Sequence, residues 1–396
     1  MTLSHRIAID PTQAQRRYFE RAAGTARFVF NWALAEWNAQ YEAGGKPKAS
    51  EIKRYFNSVK YERFPWLREI HRDAHSQPFA NLHKAFRGFF SGKSKRPKFK
   101  KKGKCRDSFY VACDKLRVSG TDARLPVIGT VRLAEELRFV GKIQSATISR
   151  EADRWFISIS VEMSDAAIPT PAGDPVGVDL GLTAFATFST GEKVDAPKPL
   201  KRAQRKLRRF GRWHSRKQAG SKNRTKATMK LARQYARIKN VRQDFIHKLT
   251  TRLAKTHSEI CIEDLNVKGM VKNHNLALHI GDAAWGEARR QLEYKTVMYG
   301  SALSVRDRFF PSSKTCSACG FVNRSLKLKD RQWTCSDCGS RHDRDTNAAI
   351  NLIKPTTAGY AGSNAHGDRS SGAGMAPRET TVGEVGTNRE ALTCVH

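Results

Sequence analysis

The chain has 396 residues, enough for two or three domains each with its own core. Its 72 Lys and Arg outnumber 37 Asp and Glu, giving a net charge of +35 and a pI of about 10.2. Such a surplus is hard to hold on a folded particle unless a polyanion shares the surface, so nucleic acid is the expected partner; no apolar run approaches a bilayer span, which leaves an anionic membrane the weaker alternative.

The opening residues, Met1 to Ile9, alternate as a strand does and lack the apolar core of a signal peptide. Asp10, Pro11 and Gln13 read as a helix start: a capping aspartate, a proline in the first turn and a glutamine placed to complete a capping box. Phe19, Ala22, Ala23, Phe28, Val29, Trp32 and Trp37 then recur at helical spacing. A second helical stretch is expected after Asn81, with Leu82, Ala85, Phe86 and Phe89 on one face. Lys93 to Lys104 is a basic linker with Phe99 as its single aromatic residue.

From Ser108 to Met163 short alternating runs (Phe109–Val111, Val127–Leu133, Ala146–Ser149, Trp155–Val161) predict an antiparallel sheet or small barrel. The Pro/Gly-rich break Thr170–Pro175 precedes a second domain, which opens with a strand over Val176–Leu180, a tight turn at Gly181 and a strand over Ala184–Phe188. Between Lys198 and Lys248 Asp244 is the only carboxylate. Leu207, Phe210, Leu231, Tyr235, Ile238, Phe245 and Leu249 give this segment two long helices with one packed face each. Charges of one sign repel along such helices, so a nucleic-acid groove is expected there rather than a plain solvated face. Beyond Lys354 the composition is Gly-, Ala-, Ser- and Thr-rich and predicts a disordered tail over 355–396.

Two CxxC knuckles, Cys316/Cys319 and Cys335/Cys338, have the spacing at which a chain folds back to close a tetrahedral thiolate cage around one zinc ion. Four thiolates leave no open position, so the expected role is structural. His342 follows as a polar neighbour. The remaining cysteines, Cys105, Cys113, Cys261 and Cys394, are scattered, unlike a secreted disulfide framework, and a reducing cytoplasm is expected.

Three carboxylates stand at element ends. Asp179 ends the apolar strand Val176–Val178, Glu263 ends Ile260–Ile262, and Asp345 opens the helix after the knuckles. Taken singly, Asp179 could cap the turn before Gly181, Glu263 could be an edge residue beside Asp264, and Asp345 could be an N-cap. Together, in a basic chain carrying a thiolate ribbon, they favour a magnesium site. Hard oxygen ligands hold that ion while leaving positions open for phosphate and water, and a pair of ions about 3.5–4 Å apart supports in-line hydrolysis of a phosphodiester.

Gly177-Val-Asp179-Leu-Gly181, Ile262-Glu263-Asp264-Leu265, Pro311-Ser-Ser-Lys-Thr-Cys316-Ser-Ala-Cys319-Gly and Asp343-Arg-Asp345-Thr-Asn347-Ala-Ala resemble the RuvC-like core of TnpB proteins, transposon-encoded relatives of the type V CRISPR nucleases. The resemblance extends to Arg27–Asn31, Arg96–Lys100, Gln243–Thr250 and Asp282–Glu287, and so covers nearly the whole chain up to about Lys354. It implies a multidomain α+β and α/β architecture. An N-terminal helical lobe with a small β-barrel (barrel 1–10 and 105–168, helices 11–104) would precede a RuvC-like, RNase H-like α/β nuclease domain (169–310 and 341–354) with an inserted zinc ribbon (311–340).

The same resemblance implies a guide RNA from the transposon end, double-stranded target DNA read beside a short flanking motif, and a monomer. Asp179, Glu263 and Asp345 would be the catalytic residues and the ligands of two magnesium ions in such a site; Cys316, Cys319, Cys335 and Cys338 would hold zinc. Arg96, Lys98, Lys100, Arg205, Arg209 and Arg242 are candidates for gripping nucleic-acid backbones; Phe99 and Trp213 could stack on bases, with core packing the favoured role for each. Arg72, Ser76 and Gln77 are candidates for the flanking motif, since residues four apart share a helix face and Arg and Gln match base edges; a plain phosphate contact by Arg72 is the alternative. The competing functions are a binding-only RNA-guided regulator and a transposase acting without a guide.

Overall fold

The computed structural model describes residues 2–163, 169–327 and 329–354, so the expected disordered tail lies outside the described residues. The chain divides into two compact units, one containing the described residues up to Met163 and the other those from Pro169.

The first unit runs β1 (Thr2–Asp10), α1 (Gln13–Glu42), α2 (Ala49–Arg63), α3 (Arg72–Phe90), β2 (Ser108–Ala112), β3 (Arg117–Ser119), β4 (Asp122–Leu125), β5 (Gly129–Leu133), β6 (Lys142–Glu151) and β7 (Arg154–Glu162). The cap of α1 is Thr12 rather than Asp10. Its hydroxyl accepts from Gln15 N at 3.3 Å while the Gln15 side chain accepts from Thr12 N at 3.0 Å, so the box closes on Gln15 and not on Gln13. α2 has no counterpart in the sequence reading; its buried face is only Ala49, Ile52 and Phe56. α3 starts well before Asn81: His71 caps it, and Pro78, which reads as a breaker, lies inside it. Trp37 of α1 stacks on Phe86 of α3 with ring centroids 4.1 Å apart, at the centre of a helical core that includes Leu34, Phe56, Phe79 and Leu82.

The seven strands form one antiparallel sheet in the order β2-β6-β7-β1-β5-β4-β3. Its inward face alternates as predicted, with Trp155, Ile157, Ile159 and Val161 of β7 buried against Phe19 and Ala22 of α1. Two details depart from expectation. β5 begins at Gly129, since Val127 takes a left-handed φ of 73° in the preceding turn. Among the described residues β2 and β3 end the sheet without pairing to each other, so the expected barrel is not closed.

The second unit runs β8 (Val176–Leu180), β9 (Ala186–Phe188), β10 (Lys193–Val194), α4 (Pro199–Ser215), α5 (Lys222–Thr256), β11 (Glu259–Glu263), α6 (Val267–Met270), α7 (His274–Ala283), α8 (Trp285–Tyr299), β12 (Ala302–Arg306), β13 (Gln332–Thr334), β14 (Arg341–Asp343) and α9 (Arg344–Ile353). Five strands form a mixed sheet in the order β10-β9-β8-β11-β12, with β8, β11 and β12 parallel and the predicted β8–β9 hairpin antiparallel. Val176, Val178, Ile260 and Ile262 of the central strands pack with Ile246 and Leu253 of α5 and with Trp285 and Leu292 of α8. The two long basic helices are present as α4 and α5, although Tyr235, expected on the packed face of α5, is 54% exposed. Among the described residues no helix is long and apolar enough to cross a membrane.

Candidate active site and thiolate cluster

Asp179 and Glu263 stand side by side at the carboxyl ends of neighbouring parallel strands. β8 and β11 pair in register from Val176 and Ile260 to Val178 and Ile262, so the next residues, Asp179 and Glu263, are equivalent positions. Alternation puts Asp179 on the same sheet face as Gly177. That face receives α9: a β-carbon at Gly177 would lie 1.8 Å from the Ala349 carbonyl oxygen, so only glycine admits the helix this closely. The helix start is thereby brought to the strand ends, and Asp345, in its first turn, comes close enough to Asp179 for its charge to act there, as does that of Glu263.

The electrostatics follow from this crowding. Burial, then the charges of Asp345 and Glu263, push the Asp179 carboxyl up to about 7 despite the opposing effect of Arg344 and Arg331. Glu263 is raised as well, by burial and by Asp264. Arg331 Nη1 approaches Asp345 at 3.5 Å. The other acids nearby are engaged elsewhere. Asp264 is tied to Arg289 and Arg308, which hold it below the ordinary carboxylate range. Asp343, not Asp345, caps α9, with Oδ1 accepting from Thr346 N at 3.0 Å and Oδ2 from Lys193 Nζ at 2.8 Å. The turn at Gly181 is closed by backbone, Gly181 N donating to Phe185 O at 3.1 Å. The local roles open to Asp179 and Asp345 in sequence are thus filled by other groups, and Glu263 is no edge residue, since β11 lies between β8 and β12.

The four knuckle cysteines also converge, with all four sulfurs within 4.8 Å of one another, a set that could hold a metal ion. Both knuckles use the same backbone turn: Gly320 N donates to Cys316 O at 2.9 Å and Gly339 N to Cys335 O at 3.0 Å. Both glycines have left-handed φ values, 84° and 72°. Leu326 and Trp333 supply nearly all the apolar packing. His342 is nearer than a polar neighbour, its Nε2 3.0 Å from Cys316 Sγ and its ring against Trp333. Asn347 and Asn351 of α9, 1% and 2% exposed, both donate to the Ser312 and Thr315 carbonyls, while Asn347 Oδ1 accepts from Ser317 N at 2.8 Å. The helix that carries Asp345 therefore also clamps the entry to the cysteine ribbon. Sequence reasoning assigned these amides no role; the available signal was two asparagines four apart on an apolar helix.

The proposed nucleic-acid contacts fare unevenly. Arg205 and Arg209 are exposed one turn apart on α4, and Arg96 and Lys98 are exposed in the linker, with Arg96 Nη2 3.1 Å from Asn38 Oδ1. Phe99 is 51% exposed, whereas Trp213 is half-buried beneath Lys217 and Lys230. Arg242 is not a free cation. It pairs with buried Asp282 at 3.1 Å, and that carboxylate also accepts from Leu200 N and Lys201 N at 3.1 Å, capping α4 from a distance. Lys100 is half-buried with its ammonium 3.9 Å from the Phe30 ring centroid. Arg72, Ser76 and Gln77 do lie together at the start of α3, but Arg72 is paired with Asp73 and Asp114, and Ser76 and Gln77 are half-buried.

The chain matches the family described as "Probable transposase" over residues 158–274, the "Cas12f1-like, TNB domain" over 285–352 and a "Helix-turn-helix domain" over 1–46, where the structure has a strand and the single helix α1. It is 40% identical to a Streptomyces pristinaespiralis protein named "Putative RNA-guided DNA endonuclease", across 89% of this chain and 88% of that relative. It is 32% identical to an Escherichia coli K12 protein of the same designation, InsQ, across 90% and 92% of the two chains. Its fold is similar to that in the cryo-EM structure of a Cas12f1–sgRNA–target DNA complex, with a TM-score of 0.55 at 16% identity over 87% of this chain and 83% of that one. These matches span both units and the motifs at Asp179, Glu263 and Asp345, and the chain belongs to the TnpB family.

Proposed function

We propose that the chain is an RNA-guided DNA endonuclease. A guide RNA from the transposon end pairs with one strand of a DNA duplex beside a short flanking motif, and the phosphodiester is hydrolysed at the acidic cluster. The observation that carries this reading is the convergence of Asp179, Glu263 and Asp345, with Asp179 raised to about 7 by burial and its two neighbours. Three crowded carboxylates are relieved by a divalent cation, and their hard oxygens suit magnesium. When bound, two such ions would supply an activated water and charge stabilisation for the leaving 3′ oxygen. In this reading Asp179 and Glu263 present their oxygens from the rigid strand ends and Asp345 presents its own from α9.

The cysteine ribbon fits zinc by the chemistry of its donors, and four thiolates make its role structural. Division into a sheet domain (1–10, 105–168), a helical recognition domain (11–104), a nuclease domain (169–310, 341–354) and a ribbon (311–340) belongs to the same proposal, as do phosphate contacts by Arg96, Lys98, Arg205 and Arg209. Arg72, Ser76 and Gln77 are assigned to the flanking motif. The test is guide exchange: RNA co-purifying with the protein is sequenced, its guide segment replaced, and cleavage followed with and without magnesium. Cutting should move to the newly matched DNA and require the metal. Cutting that ignores the exchange, or proceeds without RNA, would point to a transposase acting alone.

A further inference from the structure

The first unit holds a cavity of about 100 Å³ whose wall carries three cations, Arg27 of α1, Lys100 of the linker and Arg106 ahead of β2, beside the amides of Gln77 and Asn81 of α3. The cations are unequally partnered. Arg27 Nη1 donates to Asp107 Oδ1 at 2.8 Å and Arg150 takes the other oxygen, so that carboxylate is saturated. Arg106 has the neutral Ser149 hydroxyl, at 2.6 Å, and Lys100 has the Phe30 ring. Among the described residues neither Lys100 nor Arg106 pairs with a carboxylate. Burial is the main cause that lowers both; at Lys100 Cys105 opposes it and Arg27 adds to it, and at Arg106 Arg6 adds to it and Glu151 opposes it.

Cations gathered and partly desolvated with fewer carboxylates than charges, Asp107 being shared by Arg27 and Arg150 and Glu151 being paired with Arg6, are unfavourable to the protein alone. An exposed lysine would swing its charge into water, but Lys100 starts from a fixed backbone. Its N–H donates to Asn31 Oδ1 at 2.7 Å, and its carbonyl accepts from Asn31 Nδ2 at 2.9 Å. Its ammonium lies over the Phe30 ring, near enough to Arg27 to feel that charge.

We propose that this cavity is an anion subsite that takes a single phosphate of a bound nucleic-acid strand, gripped by Lys100 and Arg106 with Arg27 behind them. The inference rests on reading the chain as an RNA-guided DNA-binding protein, but it concerns binding and not cutting. Guide RNA and target DNA share the phosphodiester, and the experiment separates them.

Lys100→Met and Arg106→Gln are compared with wild type. Methionine keeps an aliphatic stem on Phe30 and glutamine keeps a donor for Ser149, and thermal melts check that both fold. Guide RNA binding to the RNA-free protein and target duplex binding to the RNA-loaded protein are each titrated from about 50 to 300 mM salt. Each variant should weaken one equilibrium roughly tenfold and lower its salt slope by about one, leaving the preferred flanking sequence unchanged. The arm that moves names the strand. Lys46→Met, which removes an exposed charge elsewhere in the unit, should have a clearly smaller effect. Wild-type behaviour of both folded variants in both arms, or an equal loss with Lys46→Met, overturns the subsite. A wild-type protein that binds neither strand overturns this proposal and the guided reading together; one that binds but does not cut removes only the nuclease assignment.

Discussion

The acidic cluster and the cysteine cluster lie in one unit and share helix α9, yet they gather their ligands in opposite ways. The cysteines come from a single short stretch, Cys316 to Cys338, and each pair is positioned by its own backbone turn. Asp179, Glu263 and Asp345 come from two strands and a helix and meet only once the sheet has formed and α9 has settled on Gly177. The ribbon has a core of little more than Leu326 and Trp333, so a metal ion held by its cysteines would couple binding to folding there. The acids concentrate negative charge that folding must overcome. One site is gathered within its own chain segment; the other is assembled by the fold around it, and burial and crowding at Asp179 cost stability.

The sharpest way to break this contrast is to remove one thiolate. Cys335→Ser should lower zinc from about one per chain to a small fraction and open new proteolytic cuts within 311–340, whereas Cys105→Ser should leave zinc content unchanged. Full zinc content in folded Cys335→Ser protein would show that the ribbon does not depend on its cage. Gly177→Ala addresses the other site. Its methyl would meet the Ala349 carbonyl at 1.8 Å, so α9 must shift, and urea denaturation should report a loss of about 3 kcal/mol or more. Cleavage should fall with it as Asp345 is displaced, while zinc content should be retained.

A smaller effect comes from pH. The Asp179 carboxyl titrates near 7 in the folded chain against 3.8 when unperturbed. Between those values the folded state holds a proton that the unfolded state has lost, so this group's contribution to stability falls as pH rises through the window and is fully lost above about 7. Asp179→Asn cannot ionise. In metal-free protein its melting temperature relative to wild type should climb from about pH 5 to about pH 8, by roughly 3–8 °C, and magnesium should narrow the gap. A gap that stays flat with pH would mean that Asp179 is not crowded by its neighbours.

Local chemistry was the part of this molecule legible in the sequence. Alternation located β1 and β7, the one-sided charge of Lys198–Lys248 located α4 and α5, and spacing alone brought the four cysteines together. What depended on partners distant in sequence was not legible. Arg242 looks like any other cation of α5 until Asp282 is found beside it. α3 is masked by Pro78, and α2 by a buried face of only three residues. Asp345 reads as a possible α9 cap in sequence, but Thr346 N donates to Asp343, a pairing that only the folded structure reveals. Closure of the first sheet was equally out of reach, since alternation gives the strands but not whether β2 and β3 meet.

The most direct test of the central claim is a cleavage assay on RNA-loaded wild-type and Asp179→Ala proteins, with target binding measured on the same samples. Affinity comes from many phosphate contacts and base pairing, whereas cutting needs the acidic cluster. Asp179→Ala should therefore bind RNA and matched DNA within about threefold of wild type while cleavage drops by at least about a thousandfold, roughly the 4 kcal/mol expected when one anchor of a catalytic charge is removed. Normal cutting by folded Asp179→Ala protein, free of wild-type contamination, would contradict the account.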